Sequence, residues 1–247
     1  MEFLAEALQY IKNLGVSAEQ TEVKEICGKT YANKELYRMD KAPKARAIEA
    51  VTLTSMVDYI ISCSREFPGN MIIHIVSPTK VRLMSALDKE REREVLFEVN
   101  AETSEFKFGR WYDQEDFMIS LQANFQPSDD LAAVMKLAGN IEKKNNQTFS
   151  DDGRTQVATM TVGVASKADV IVPNPVELFP YRTFQEVAQP ESKFVFRIGD
   201  CEVPAFKLIE AEGGIWRNDA IKSIKGFFHE ALECLDEEVR EKIVIIG

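Results

Sequence analysis

Along the first fifteen residues, Leu4, Ala7, Leu8, Ile11 and Leu14 recur at helical spacing, which predicts one face of an amphipathic helix with Gly15 placed to cap it. From Val16 to about Ala45 the pattern dissolves into polar residues of mixed charge, the signature of a linker or a loosely packed arm. A second helical face follows at Leu53, Met56, Val57, Ile60 and Ile61, with Thr52 or Thr54 as its N-cap. Pro68-Gly69-Asn70 then predicts a turn, and four strands are expected in succession over Met71–Ser77, Val81–Leu87, Glu94–Asn100 and Glu105–Trp111. Pro78-Thr79-Lys80 makes a hairpin of the first two.

Asp113 is the cap expected for a helix carrying Phe117, Leu121 and Phe125, with Glu115 and Asp116 in the first turn, where the helix dipole favours acids. After Pro127-Ser128, Leu131, Val134, Met135, Ala138 and Ile141 line the next helix. Strands resume at Gln147–Phe149. A turn is expected at Asp151-Asp152-Gly153, then a long alternating strand over Thr155–Val164. Pro173, Pro175 and Pro180 punctuate a rigid connection, and Ser192–Ile198 and Val203–Ile209 read as a final strand pair. Ile221, Ile224, Phe228, Ala231, Leu232 and Leu235 trace the clearest helix, with Asn218 as its N-cap, and Ile243–Ile246 reads as an edge strand or a subunit contact. Strands fall in consecutive groups rather than alternating with helices. The expected class is therefore α+β: antiparallel sheets packed with helices, a helical arm over residues 1–44, and one domain over residues 45–247 ending in a long amphipathic helix.

Composition narrows the function classes. Of 247 residues 45% are hydrophobic, enough for a sizeable core, while the formal net charge of −10 disfavours direct binding to nucleic acid or to an anionic membrane surface. The N-terminus lacks the basic and apolar regions of a secretory leader, and no apolar run is long enough to span a bilayer, so a cytoplasmic location is expected. Cys27, Cys63, Cys201 and Cys234 are too sparse for a disulfide scaffold and form no CxxC pair. Cys63 and Cys234 read as buried free thiols in helices, in a reducing compartment.

No catalytic, metal or cofactor motif is recognisable. His74, between Ile73 and Ile75, reads as a buried core histidine, and His229 as an exposed one. Neither has a neighbour at zinc-ligand spacing. HExxH, GxSxG, GxGxxG and the Walker loop are all absent. The run Asp88 to Glu94 alternates in sign and reads as a solvated hairpin tip, and Asp236-Glu237-Glu238 reads as an acidic cluster at a helix C-terminus, where the dipole opposes it. Two segments have the residue types of binding hot spots: Arg110-Trp111-Tyr112, before a helix, and Trp216-Arg217-Asn218, at the start of the last one. The plainer explanation for both tryptophans is that they plug the core where helix meets sheet.

The order of features from Trp111-Tyr112-Asp113 through Thr148-Phe149, Phe179-Pro180-Tyr181 and Phe194-Val195-Phe196-Arg197-Ile198 resembles the YfdQ-like family of bacteriophages and prophages, over roughly residues 45–240. The resemblance implies a phage product acting in the bacterial cytoplasm and carries no catalytic residues with it. The leading expectation is a non-enzymatic binding protein, possible counter-defence in kind, that sequesters a host protein or a signalling nucleotide. The alternatives are an accessory factor of phage replication or recombination and a hydrolase with an unrecognised carboxylate site. A homo-oligomer is expected through the detached first helix and the apolar C-terminal strand.

Overall fold

A computed structural model describes residues 2–19, 21–26, 28–33, 43–103, 106–141, 149–151, 155–162, 166–199 and 204–247. The chain divides into two compact units, residues 1–44 and 45–247.

The first unit contains helix α1 (Glu2–Glu19) and a hairpin of β1 (Val23–Ile26) and β2 (Lys29–Ala32). Helix α1 runs through Gly15 rather than ending there, so the glycine is no cap. The stretch expected to be patternless holds the end of this helix and the hairpin. Among the described side chains of this unit none is buried, and Leu4, Leu8, Ile11 and Leu14 are all exposed.

Among the described residues the second unit holds three sheets, and its two cores form on the five-stranded and the four-stranded ones. In the first, β3 (Ile48–Ala50) leads to α2 (Leu53–Cys63), which starts where the Thr52 side chain accepts a hydrogen bond from Ser55 N. A 3₁₀ turn over Ser64–Glu66 follows. Strands β4 (Met71–Ser77), β5 (Lys80–Ser85) and β6 (Val95–Asn100) then form an antiparallel meander. The chain alternates strictly along β4: Met71, Ile73 and Ile75 are buried, while Ile72 and His74 face the other way. His74 is therefore half-buried beside Arg82 of β5 and not a core residue. The loop from β5 to β6 carries the alternating charges and is pinned by Asp88, whose carboxylate accepts from the backbone N–H groups of Glu90 and Glu92.

The second sheet begins later. Residues 106–111, expected to form a strand, make a turn instead: Gly109 sits at φ 77° and donates to Leu208 O, and the rings of Phe106 and Phe108 both enter the second core. Only β7 (Tyr112–Asp113) pairs with the sheet. Helix α3 (Gln114–Asn124) starts where the Asp113 carboxylate accepts from Asp116 N, and α4 (Asp129–Asn140) where Ser128 Oγ accepts from Leu131 N. Strands β8 (Phe149–Asp151), β9 (Thr155–Val162) and β10 (Ser166–Pro173) form a three-stranded antiparallel sheet; β10 and the short β11 (Val176–Leu178) occupy what reads in the sequence as connection. Residues 147–148, 152–153 and 163–164, the rest of the strand and turn expected there, lie outside the described residues, as do Cys27, Cys201 and Val203. The Asn174–Pro175 bond is cis.

Strands β12 (Ser192–Gly199) and β13 (Ala205–Glu210) complete the second sheet in the order β11-β12-β13-β7. Helix α5 (Trp216–Ala231) returns to the first core, where Ile224 and Phe228 join Met56 and Ile60 of α2 against Ile73, Leu83 and Phe97. Asn218 is exposed in its first turn rather than at the N-cap, which is Ile215, and Leu235 lies beyond its end. The acidic cluster begins a new short helix, α6 (Glu237–Arg240), so its carboxylates sit where a helix dipole favours them, opposite to the expected penalty. Strand β14 (Ile243–Ile246) is the edge strand, parallel to β4, giving the mixed order β14-β4-β5-β6-β3.

The fold is thus α+β, with antiparallel sheets and two parallel edges added by β3 and β14. Around the second sheet the core is aromatic. Phe117 of α3 stacks on Phe206 at 5.3 Å and on Phe196 at 6.0 Å. Leu131, Val134 and Leu137 of α4 belong to the same core. Of the two described cysteines, Cys63 is half-buried and Cys234 is exposed rather than buried.

Candidate functional site

The two Trp/Arg segments lie at opposite ends of the second sheet. Trp111 is 45% exposed and lies over Gly199, where an added Cβ would come within 3.3 Å of its ring; the ammonium of Lys207 stands 4.3 Å from the ring centre. Gly199, Ala205 and Lys207 all belong to the side of the sheet that faces away from the aromatic core. Trp111 is therefore a surface residue, not a core plug. Arg110 is exposed and sits 5.6 Å from the Tyr112 ring, while Tyr112 itself packs inward against Phe106 and its hydroxyl accepts from Lys107 N.

Trp216 is tied to the other end of the sheet through a residue that the sequence does not advertise. Arg182 lies in the irregular segment between β11 and β12 and is only 8% exposed. That segment is held by Gln189, whose side-chain oxygen accepts from Arg182 N and Thr183 N and whose amide donates to Phe184 O. Thr183 Oγ1 donates to Pro78 O of the first sheet's hairpin, at 2.5 Å. So fixed, the Arg182 guanidinium pairs with Glu210 and donates to Ser192 Oγ. It also stacks over Trp216, 4.1 Å from the ring centre, with Phe194 at 5.5 Å and Phe108 at 5.7 Å. Burial pulls this guanidinium below its ordinary range; Glu210 opposes the fall and the nearby positive charge of Arg217 adds to it.

Arg217 contributes a second cation to the same indole, 5.0 Å from its centre. It reaches there because α5 is preceded by two glycines with positive φ, Gly213 at 60° and Gly214 at 85°. Side chains of a helix's first turn lean back over the turn before it. Arg217 leans onto Gly214, where a Cβ would lie 2.0 Å from Nη1. A residue other than glycine there would suffer both the backbone conformation and the collision. Asn218 is exposed in the same turn and makes no contact with the indole pair among the described interactions. The structure thus brings Trp216 and Arg217 together with Arg182, Glu210 and Ser192. It leaves Trp111 at the other end of β12, over Gly199, with Arg110 and Tyr112 beside it in sequence.

Two further features frame the site. A cleft of about 470 Å³ opens beside the N-terminus of α2, between Thr52, Ala101, Glu102, Phe184 and Glu186. Its walls carry carboxylates, and Glu186 accepts from Thr54 N at 3.4 Å, so the helix end there is already occupied. On the outer face of the first sheet, Glu98 is held by Lys80 and by Arg82 at 2.6 Å, and its pKa falls to about 2, chiefly through the Lys80 hydrogen bond. Among the described residues no group of three His, Cys, Asp or Glu side chains is placed to hold a metal ion, and no helix is long and apolar enough to cross a membrane.

Compared with known protein families, with curated proteins and with solved structures, the chain matches none.

Proposed function

We propose that this chain is a non-enzymatic binding protein, made by a phage and acting in the cytoplasm of its host, that captures a small nucleotide-like signal through Arg182, Trp216 and Arg217. The observation that carries the reading is the indole of Trp216 with two guanidinium groups against it, at 4.1 and 5.0 Å. Guanidinium groups match phosphate oxygens, and an indole N–H can donate to one. The phage setting rests on the resemblance in order of features to the YfdQ-like family. The exposed apolar stripe of α1 supports assembly into a homo-oligomer: an 18-residue helix none of whose described side chains is buried is marginal in water by itself.

The test is to incubate the purified chain with a small-molecule extract of infected cells, wash it, denature it and identify what it releases by mass spectrometry. A nucleotide released by the wild type and not by Trp216→Ala supports the reading. Release of nothing, together with recovery of replication or recombination proteins in a pull-down, would replace it with the accessory-factor alternative.

A further inference from the structure

Among the described residues two buried side-chain donors have no hydrogen-bond partner, and they belong to the same stacked pair: Arg182 Nε–H and Trp216 Nε1–H. Nε is bonded to the carbon that lies 4.1 Å from the indole centre, and Nε1 is on the rim of that indole, so the two donors belong to one stacked contact. Buried donors almost always find an acceptor, because leaving one unmade forfeits its hydration without return. Neither group can accept, so the partner has to be an acceptor, most simply an oxygen.

The charge of that oxygen follows from its surroundings. Two guanidinium groups share the indole with one carboxylate, Glu210, which is already engaged with Arg182. Among the described residues no carboxylate pairs with Arg217. The other nearby acids are committed elsewhere, Glu212 to Lys193 and Asp219 to Lys222. Trp216 and Arg217 also open the 16-residue helix α5, which has no side-chain cap, its Arg217 and Asn218 N–H groups donating instead to Gly214 O and Ile215 O. A helix N-terminus carries partial positive charge and repels a cation. Arg217 nevertheless folds back over it, onto Gly214. Two cations and two unpartnered donors at one point favour an anion with several oxygens.

We infer that the N-terminus of α5 is a phosphate site. One phosphate oxygen accepts from Arg182 Nε–H and Trp216 Nε1–H, and the exposed Arg217 swings off the ring and closes on the remaining oxygens. Resting on the proposed nucleotide reading, this assigns the corner to the ligand's phosphate rather than to its base. The ligand class is a phosphate monoester or diester. Glu210 and Ser192 hold Arg182 in place and do not touch the ligand.

Isothermal titration of the full chain with adenosine 5′-monophosphate, inorganic phosphate and adenosine separates the possibilities. The monophosphate is expected to bind at least tenfold tighter than the nucleoside. Arg217→Gln, at an exposed position, and Trp216→Phe, which keeps the ring and removes the N–H, should each weaken it about tenfold, while Trp111→Phe leaves it unchanged. Inorganic phosphate binding that is lost in both variants also supports the site and places the specificity in the phosphate alone. Adenosine binding as tightly as the monophosphate would overturn the phosphate assignment and leave the binding reading standing. If none of the three binds, or if binding ignores both substitutions, the two donors serve only an internal water and the inference is wrong.

Discussion

Replacing Glu98 by Gln tests how the outer face of the first sheet is held. Its carboxylate lies between Lys80 and Arg82 on neighbouring β5, with Glu98 itself only 17% exposed and the two cations about a third exposed. The pKa falls from 4.5 to about 2 in the fold. Each unit of such a shift corresponds to about 1.4 kcal/mol. Solvent screening of a pair with half-open partners brings the contribution down to about 1–2 kcal/mol. Because the folded pKa is depressed, this stability is fully present above about pH 5 and is lost as pH falls from 4.5 toward 2. The measurement is urea unfolding of wild type and Glu98→Gln from pH 7 to pH 2.5. The variant should be less stable by about 1–2 kcal/mol at pH 7, and the gap should shrink steadily as pH falls from 4.5 toward 2. Other carboxylates titrate in both proteins and cancel in the difference. A gap that stays constant with pH, or no gap at pH 7, would refute the assigned ion pairing.

Four further outcomes are expected. Thr52→Ala should cost about 1 kcal/mol in chemical denaturation, since the Thr52 hydroxyl satisfies the first turn of α2. Phe196→Ala, between Phe117 and Phe206, should cost roughly 3–5 kcal/mol, read as a lowered urea midpoint, and an effect under 1 kcal/mol would contradict the aromatic core. Gly214→Ala should destabilise the chain by about 1 kcal/mol or more and displace Arg217 from the indole, seen as a changed Trp216 fluorescence. Removing residues 1–44 should reduce the mass found by light scattering to that of a monomer; an unchanged oligomer would dismiss α1 as the contact.

Much of the fold is legible because local rules act within a few residues. The alternation of Met71, Ile73 and Ile75 and the turn at Pro78-Thr79 specify the first hairpin, Asp113 caps its helix as expected, and of the two threonines offered at α2 the structure uses Thr52. The failures come where the same pattern has two physical origins. Phe106 and Phe108 alternate as a strand would, yet a turn that sends both rings into one core gives the same spacing. His74 seemed buried because its sequence neighbours are, although period two puts it on the other face. At α5, Asn218 is the better capping residue by type, but the glycine turn places the N-cap three residues earlier, at Ile215.

The candidate site was half legible. Trp216 and Arg217 are visible as residue types at a helix start. Arg182 is not, because it lies in an unpatterned segment and gains its meaning from Glu210, 28 residues away, and from the indole of Trp216. A buried arginine carries no periodic signal; the one local hint is the nearby Gln189, whose amide can only serve as a latch once the segment has folded around it. The second Trp/Arg segment shows the converse: the same residue types at Arg110-Trp111 produce a surface contact with Lys207 and no unpartnered buried donor among the described residues.

The central claim, that a ligand is captured at Trp216, is tested most directly by the indole N–H signals in a ¹H–¹⁵N correlation spectrum. The chain has two tryptophans and so gives two such signals, assignable with Trp111→Phe. On adding a nucleotide-rich extract of infected cells, the Trp216 signal should shift downfield as its N–H gains an acceptor, while the Trp111 signal stays in place. A spectrum in which neither signal moves, or in which Trp111 alone responds, would contradict the account.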